Sequence, residues 1–232
     1  DCRVGACPRP RRGYAAGDKP PPYSAKDFFM AELIPAILVQ SESEFRKRVA
    51  LVQDHVKTIQ VDVMDGKFVP QTSWADPDAI ARMHLPVAIE VHLMVQNPET
   101  VVDDWIRAGA KRIIVHFEAR GNLGLAIEKI HAAKREIGIS LNPETPVETI
   151  ASLLDIIDAV LVMGVAPGKQ GQTFQPVALT KVRDLQKRKP KLFIEVDIQF
   201  VMEKTGKNRD RVKDILEETD GDIAEAILRL NK

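Results

Sequence analysis

Cysteine is nearly missing from the 232-residue chain: the two present, Cys2 and Cys7, both fall within the first seven residues, outside every periodic segment. That leaves no basis for a disulfide framework or a thiolate zinc site, and it points to a reducing cytoplasm. Net charge is missing too. Lys plus Arg and Asp plus Glu each number 33, a formal balance of +0, so whole-chain electrostatics supply no drive toward nucleic acid or an anionic membrane. No apolar run approaches the roughly 20 residues of a membrane span, and the amino-terminal segment has no continuous apolar core of a secretory signal. What is present, 44% hydrophobic and 28% charged residues, suffices to build the core of a globular domain.

Three regions follow one another along the chain. Residues 1 to 29 have no hydrophobic period and are rich in Pro, Gly and Arg. They are expected to be a disordered leader, with Met30 standing just before the first strand-like run. A basic arm for an acidic partner is the competing reading.

From Met30 to about Val196, short apolar runs alternate with amphipathic, charged segments. Strands are expected at 33 to 38, 58 to 63, 87 to 94, 112 to 117, 138 to 142, 159 to 163 and 192 to 196. Helices are expected near 43 to 54, 76 to 83, 98 to 108, 122 to 135, 147 to 154 and 176 to 188, the first opened by a capping box at Ser41 to Glu44. Such alternation argues for a parallel sheet with helices outside. Seven strands favour a (β/α)8 barrel, here incomplete, over a doubly wound sheet, although periodicity alone leaves that choice open.

Beyond Val196 the strand pattern stops. Residues 197 to 232 carry three short apolar faces, with Gly206 and Gly221 where two helices should end. A compact three-helix unit is expected there.

The stretch IQVDVMDGKFVP, residues 59 to 70, carries the functional question. Asp62 lies near the end of a run whose alternation is that of a strand, just before a Met-Asp-Gly turn. A carboxylate in so apolar a setting needs a partner or does chemistry. Asp65, in the turn itself, is expected to make a local side-chain-to-backbone hydrogen bond. His116, in IIVHF, reads as structural. The acidic run Glu217, Glu218, Asp220 and Asp222 reads as a solvated surface around a helix start.

Residues 30 to 196 resemble ribulose-phosphate 3-epimerase, a (β/α)8 barrel of the pentose phosphate pathway of carbohydrate metabolism. The likeness rests on VDVMDGKFVP, EVHLMVQNPE (90 to 99), AGAKRIIVHFEA (108 to 119), SLNPETPVE (140 to 148), VLVMGVAPGKQGQTF (160 to 174) and IEVD (194 to 197). The C-terminal unit is similar to a ubiquitin-associated (UBA) domain, in particular that of the archaeal nascent polypeptide-associated complex, through VMEKTG (201 to 206) and ETDGDIAEAILRL.

The resemblance to the epimerase implies a pentose 5-phosphate substrate and an exchange between ribulose 5-phosphate and xylulose 5-phosphate. A proton leaves one face of the carbon beside a carbonyl and one returns to the other face, which calls for an acid/base group on each side. Asp62 and Asp197 are the expected catalytic pair. A divalent metal (Zn, Fe, Mn or Co) would stabilise the enediolate as a Lewis acid, held by Asp62, His92 and Asp197. The family's other ligand, a His, falls at Gln60, whose amide oxygen is a poorer ligand. Met64, Met94 and Met163 match methionines that line the family's site, and Gly168 and Gly171 belong to a loop matching its phosphate grip. Ala36 stands where the family has a Ser. The Gly-Gly and Gly-Ser of the family's later phosphate loops have no counterpart, because IEVD runs directly into IQFVMEK.

Three readings therefore stay open on the sequence. One is an epimerase-like isomerase, impaired by Gln60 and by the absent loops. The second is a non-catalytic barrel fragment whose UBA-like unit binds a ubiquitin-like protein or a nascent-chain, ribosome-associated partner through Phe200, Val201 and Met202. The third is the joining of two reading frames. Metal identity and association with further copies of the chain are left open, and Asp197 reads equally as the end of a strand or the cap of a helix.

Overall fold

Each apolar run between residues 33 and 196 that reads as a strand contributes one to the computed structural model, which describes residue 32, residues 34–168 and residues 175–196. The strands are β1 (Ala36–Ile37), β2 (Thr58–Met64), β3 (Ala88–Met94), β4 (Arg112–His116), β5 (Glu136–Leu141), β6 (Ala159–Val162) and β7 (Phe193–Val196). Between them lie α1 (Glu42–Val52), α2 (Pro77–Arg82), α3 (Val102–Arg107), α4 (Leu123–Ala132) and α5 (Val177–Arg188). The expected leader (1 to 29) and the expected three-helix unit (197 to 232) lie outside the described residues.

Helix starts follow the side chains at their caps. Ser41 Oγ accepts from the Glu44 N–H at 3.3 Å, and the Glu44 carboxylate reaches back to the Gln40 N–H at 3.2 Å, one residue before the usual capping-box partner. Asp76 accepts from the Ala79 N–H at 2.9 Å with Pro77 at the first helical position, and Asn122 accepts from the Leu125 N–H at 2.9 Å.

Three segments differ from expectation. Of the strand expected at 33 to 38, the described residues pair over Ala36–Ile37, since Pro35 has no N–H for the ladder; its carbonyl still accepts from the Gln60 N–H at 2.9 Å. The helix expected at 147 to 154 is a 3-10 helix over Val147–Ile150, followed by turns in which Leu153 N–H bonds to Ile150 O at 2.9 Å. The helix expected at 98 to 108 splits into a 3-10 turn, Pro98–Thr100, and α3.

The sheet is wholly parallel, and strands β1 to β7 stand side by side in chain order. Alternation sorts each strand into two faces. One face, including Ile59, Val61, Val91, Ile113, Ile139 and Val160, packs with Phe45, Trp105, Ile130 and Leu185 of the surrounding helices in the main core. The other face carries Gln60, Asp62, Glu90, His92, Arg112, His116 and Ser140, yet it is also enclosed: Glu90 and His116 are 0% exposed and His92 is 2% exposed.

That second face is the inside of a curled sheet. Arg112 on β4 reaches Glu195 on β7 at 2.7 Å, although the two strands are three places apart, about 14 Å in a flat sheet. Arg112 also meets Glu90 and Glu136, each at 2.7 Å, and lies 4.3 Å above the Phe193 ring. Burial, reinforced by the neighbouring Glu90, pushes the Glu195 carboxyl up to about 9. Gly138 is required by close approach: a Cβ there would fall 2.8 Å from Ile114 Cγ1. The architecture is therefore a parallel, curled α/β sheet of (β/α)-barrel type. No helix among the described residues is long and apolar enough to cross a membrane.

Candidate active site at the C-terminal strand ends

The inner-face positions of β2 and β3 bring the first two site residues together. Asp62 and His92 are direct partners in the β2–β3 register, and Asp62 Oδ1 lies 3.2 Å from His92 Nδ1. Gln60, two residues earlier on the same face, donates its side-chain amide to Asp62 Oδ1 at 2.8 Å. The acid that alternation places in an apolar strand thus has two polar neighbours, with 13% of its side chain exposed. Ser73 ties the following loop to this strand end: its hydroxyl donates to the Asp62 carbonyl at 2.8 Å and accepts the Met64 N–H at 3.0 Å.

On its far side His92 meets a second imidazole. His92 Nε2 lies 2.9 Å from His116 Nε2, and the rings stack with centroids 4.9 Å apart. His116 Nδ1 lies 3.3 Å from Glu118 Oε2. Glu118 Oε1 accepts the Asn142 N–H at 2.8 Å and the Thr145 hydroxyl. The Phe68 ring covers His116 at 4.6 Å between centroids. Complete burial lowers the His116 pKa to about 4, assisted by the adjacent His92 and opposed by Glu118. Burial alone would push Glu118 up, but bonds from His116, Thr145 and the Asn142 N–H hold it below the ordinary carboxylate value.

The loops over these strands are fixed by one acid and one glycine. Asp65 Oδ1 accepts the N–H groups of Lys67 at 2.8 Å and Phe68 at 2.9 Å, while Oδ2 accepts the Gln96 N–H at 2.8 Å. It makes the local turn expected of it and also anchors the β2 loop to the end of β3. Gly168, with φ +87, lies so near that loop that a Cβ would come 2.7 Å from Val69 Cβ and 2.8 Å from Gln71 Oε1.

Among the other expected site residues, Met64 and Met94 are register partners and pack with Val69, Leu38 and Phe68. Met163 packs instead with Ile114 and Leu161, so the three methionines form two separate groups. Asp197, Gly171, Phe200, Val201 and Met202 lie outside the described residues. Sequence reasoning left His116 without a role and passed over Glu118; the signal was their spacing of two, which extends the inner face of β4 beyond the strand end.

No three His, Cys, Asp or Glu side chains among the described residues are grouped to hold a metal ion. Asp62 and His92 nonetheless present an oxygen and a ring nitrogen to each other at 3.2 Å, which fits two members of the expected ligand set. Gln60 turns its NH2 group, not its oxygen, toward Asp62.

A tryptophan synthase alpha-subunit from Pyrococcus furiosus matches with a TM-score of 0.52 at 15% identity, covering 88% of this chain and 96% of that one; this likeness concerns the fold alone. Ribulose-phosphate 3-epimerase of Rhodobacter capsulatus is 34% identical over 157 residues, covering 67% of this chain and 68% of the relative. The Schizosaccharomyces pombe protein of that name is 36% identical over 173 residues, covering 72% and 75%. The Chlamydia muridarum protein is 40% identical over 127 residues, covering 54% and 55%. These matches span between 55% and 75% of the relatives' own lengths. The profile of the ribulose-phosphate 3 epimerase family matches residues 32–218, continuing past the boundary expected at 196 into the segment read as UBA-like. On that match, with the relatives' sequence identity, the chain belongs to the ribulose-phosphate 3-epimerase family.

Proposed function

We propose that the chain is an isomerase that interconverts ribulose 5-phosphate and xylulose 5-phosphate, with Asp62 and Asp197 as its two proton-transfer groups. The observation that supports this most directly is Asp62 itself: an inner-face carboxylate at the C-terminal end of β2, 3.2 Å from the ring of its register partner His92. Active sites of (β/α) barrels lie at that end of the strands.

In this reading Gln60 and His92 engage Oδ1 of Asp62, so proton transfer falls to Oδ2. Asp62 takes the proton as the C–H bond beside the carbonyl breaks, and the bonding pair moves into the carbon–carbon double bond of an enediolate. Asp197 then delivers a proton to the opposite face, which inverts that carbon. A divalent cation would supply Lewis-acid stabilisation of the developing oxyanion, held by Asp62, His92 and Asp197. Met64 and Met94 form an apolar wall beside the reacting carbon and keep water from it. Gly168 and Gly171 shape the loop that receives the phosphate through backbone N–H groups.

The test is turnover of ribulose 5-phosphate by the full chain, with and without added divalent metal, for the natural protein and for Asp62→Asn. Loss of an essential acid/base group should cost about 100-fold or more in turnover. Unchanged epimerisation by the Asn variant would remove Asp62 from the mechanism.

A further inference from the structure

The buried contacts running from Asp62 through His92 and His116 to Glu118 contain three links: 3.2 Å, 2.9 Å and 3.3 Å. A neutral imidazole carries one ring proton, so a pair of them supplies two protons to three links and one link has none. A gap between the two rings would set two nitrogen lone pairs against each other at 2.9 Å, in the shortest and most deeply buried of the three links. The gap therefore falls at one end. Asp62 Oδ1 already receives the Gln60 amide, which makes it the end less dependent on an imidazole proton.

We infer that Glu118 and His116 are positioning residues that hold the proton of His92 on Nε2, leaving the Nδ1 lone pair facing Asp62 as a preformed half-site for a divalent cation. This rests on the epimerase reading above only for its biological purpose. Both end carboxylates can only accept, so the polarity comes from their unequal oxygens: Asp62 Oδ1 receives the Gln60 amide, whereas the Glu118 oxygen facing the ring, Oε2, is met by His116 Nδ1; His116 Nδ1–H donates to it, His116 Nε2 accepts from His92 Nε2–H, and His92 Nδ1 is left bare. Outer hydrogen-bond partners of this kind orient metal-binding imidazoles and raise their basicity.

Glu118→Gln tests the direction of the chain without altering its shape. The Asn142 N–H is an obligatory donor and lies 2.8 Å from the outer oxygen, so the new amide must put its oxygen there and its NH2 toward His116. His116 Nδ1 then has to accept, its proton moves to Nε2, and His92 is forced to carry its proton on Nδ1, closed to a cation. Thr145→Val is the control, since it removes one bond to the same carboxylate but leaves it an acceptor.

Long-range proton–nitrogen NMR of the metal-free full chain at neutral pH reads the tautomers directly, and competition with a chromophoric chelator reads Zn2+ affinity. The natural protein and Thr145→Val should show His92 protonated on Nε2. Glu118→Gln should show both tautomers inverted and Zn2+ affinity reduced roughly 10- to 100-fold. A proton on His92 Nδ1 in the natural protein would overturn the inference. So would equal weakening of Zn2+ by both variants with the tautomers unchanged, the mark of a merely structural role. Neither readout involves turnover: a chain that shows the tautomers yet fails to epimerise loses the proposed function and keeps this inference, whereas an active chain with inverted tautomers does the reverse.

Discussion

Gln60 and Asp62, two residues apart on the inner face of β2, are joined by an amide-to-carboxylate hydrogen bond of 2.8 Å. The side chain at position 60 therefore addresses the same carboxylate oxygen that faces His92. Gln60→His would place an imidazole nitrogen there, a better ligand for a zinc-like ion than an amide oxygen. The expected outcome is tighter Zn2+ binding in a chelator competition and higher turnover at limiting metal. Unchanged affinity would mean that position 60 does not face a cation.

Gly168 holds φ +87 beside Val69 and Gln71. Gly168→Ala adds a strained backbone and a clash between the loop after β6 and the loop after β2, with an expected loss of about 1 kcal/mol or more in urea unfolding. Because the same loop is proposed to receive the phosphate, KM for the sugar phosphate should rise more than kcat falls.

Asp65 gives a pH test at some distance from the acid/base chemistry. Burial raises its pKa, but the N–H groups of Gln96, Phe68 and Lys67, with the Lys67 charge, outweigh that and hold it below its ordinary 3.8. A carboxylate with a depressed folded-state pKa stabilises the fold above the ordinary value and loses that contribution as pH falls through the folded value. Asp65→Ala should cost about 1 kcal/mol at neutral pH, as for lost helix caps. In urea titrations the difference from the natural protein should shrink steadily below pH 3.8.

Arg112 is the cation among Glu90, Glu136 and Glu195. Arg112→Met removes it and leaves the buried Glu90 and Glu195 carboxyl groups without their cation, with an expected cost of about 3–5 kcal/mol. Arg112→Lys keeps the charge but cannot reproduce the forked contacts, so it should lie between. Thermal unfolding of the three proteins would establish the order, and a Met variant as stable as the natural protein would show that the network contributes nothing to stability.

The strands were legible because their signal is local. Alternation in TIQVDVM and the continuous apolar run in AVLV place β2 and β6 within a residue of where they lie. Segment 147 to 154 has apolar spacing that suits a helix, yet after Pro146 it forms a 3-10 helix over Val147–Ile150 that does not continue as an α-helix. The methionines share a residue type and a place near strand ends, yet they divide into two packing groups. Which neighbours they meet depends on strand register and on the curl of the sheet.

The amino-acid order by itself determined the succession of strands and helices, the faces of β2 and β3, and hence that Asp62 and His92 both point inward. Periods of 2 and 3.6 act over a few residues and need no knowledge of the rest of the chain. Only the tertiary structure decided that His92, His116 and Glu118 form a continuous chain of contacts ending on Asn142 and Thr145. These residues come from three successive strand ends, and parallel register, not sequence proximity, sets their distances.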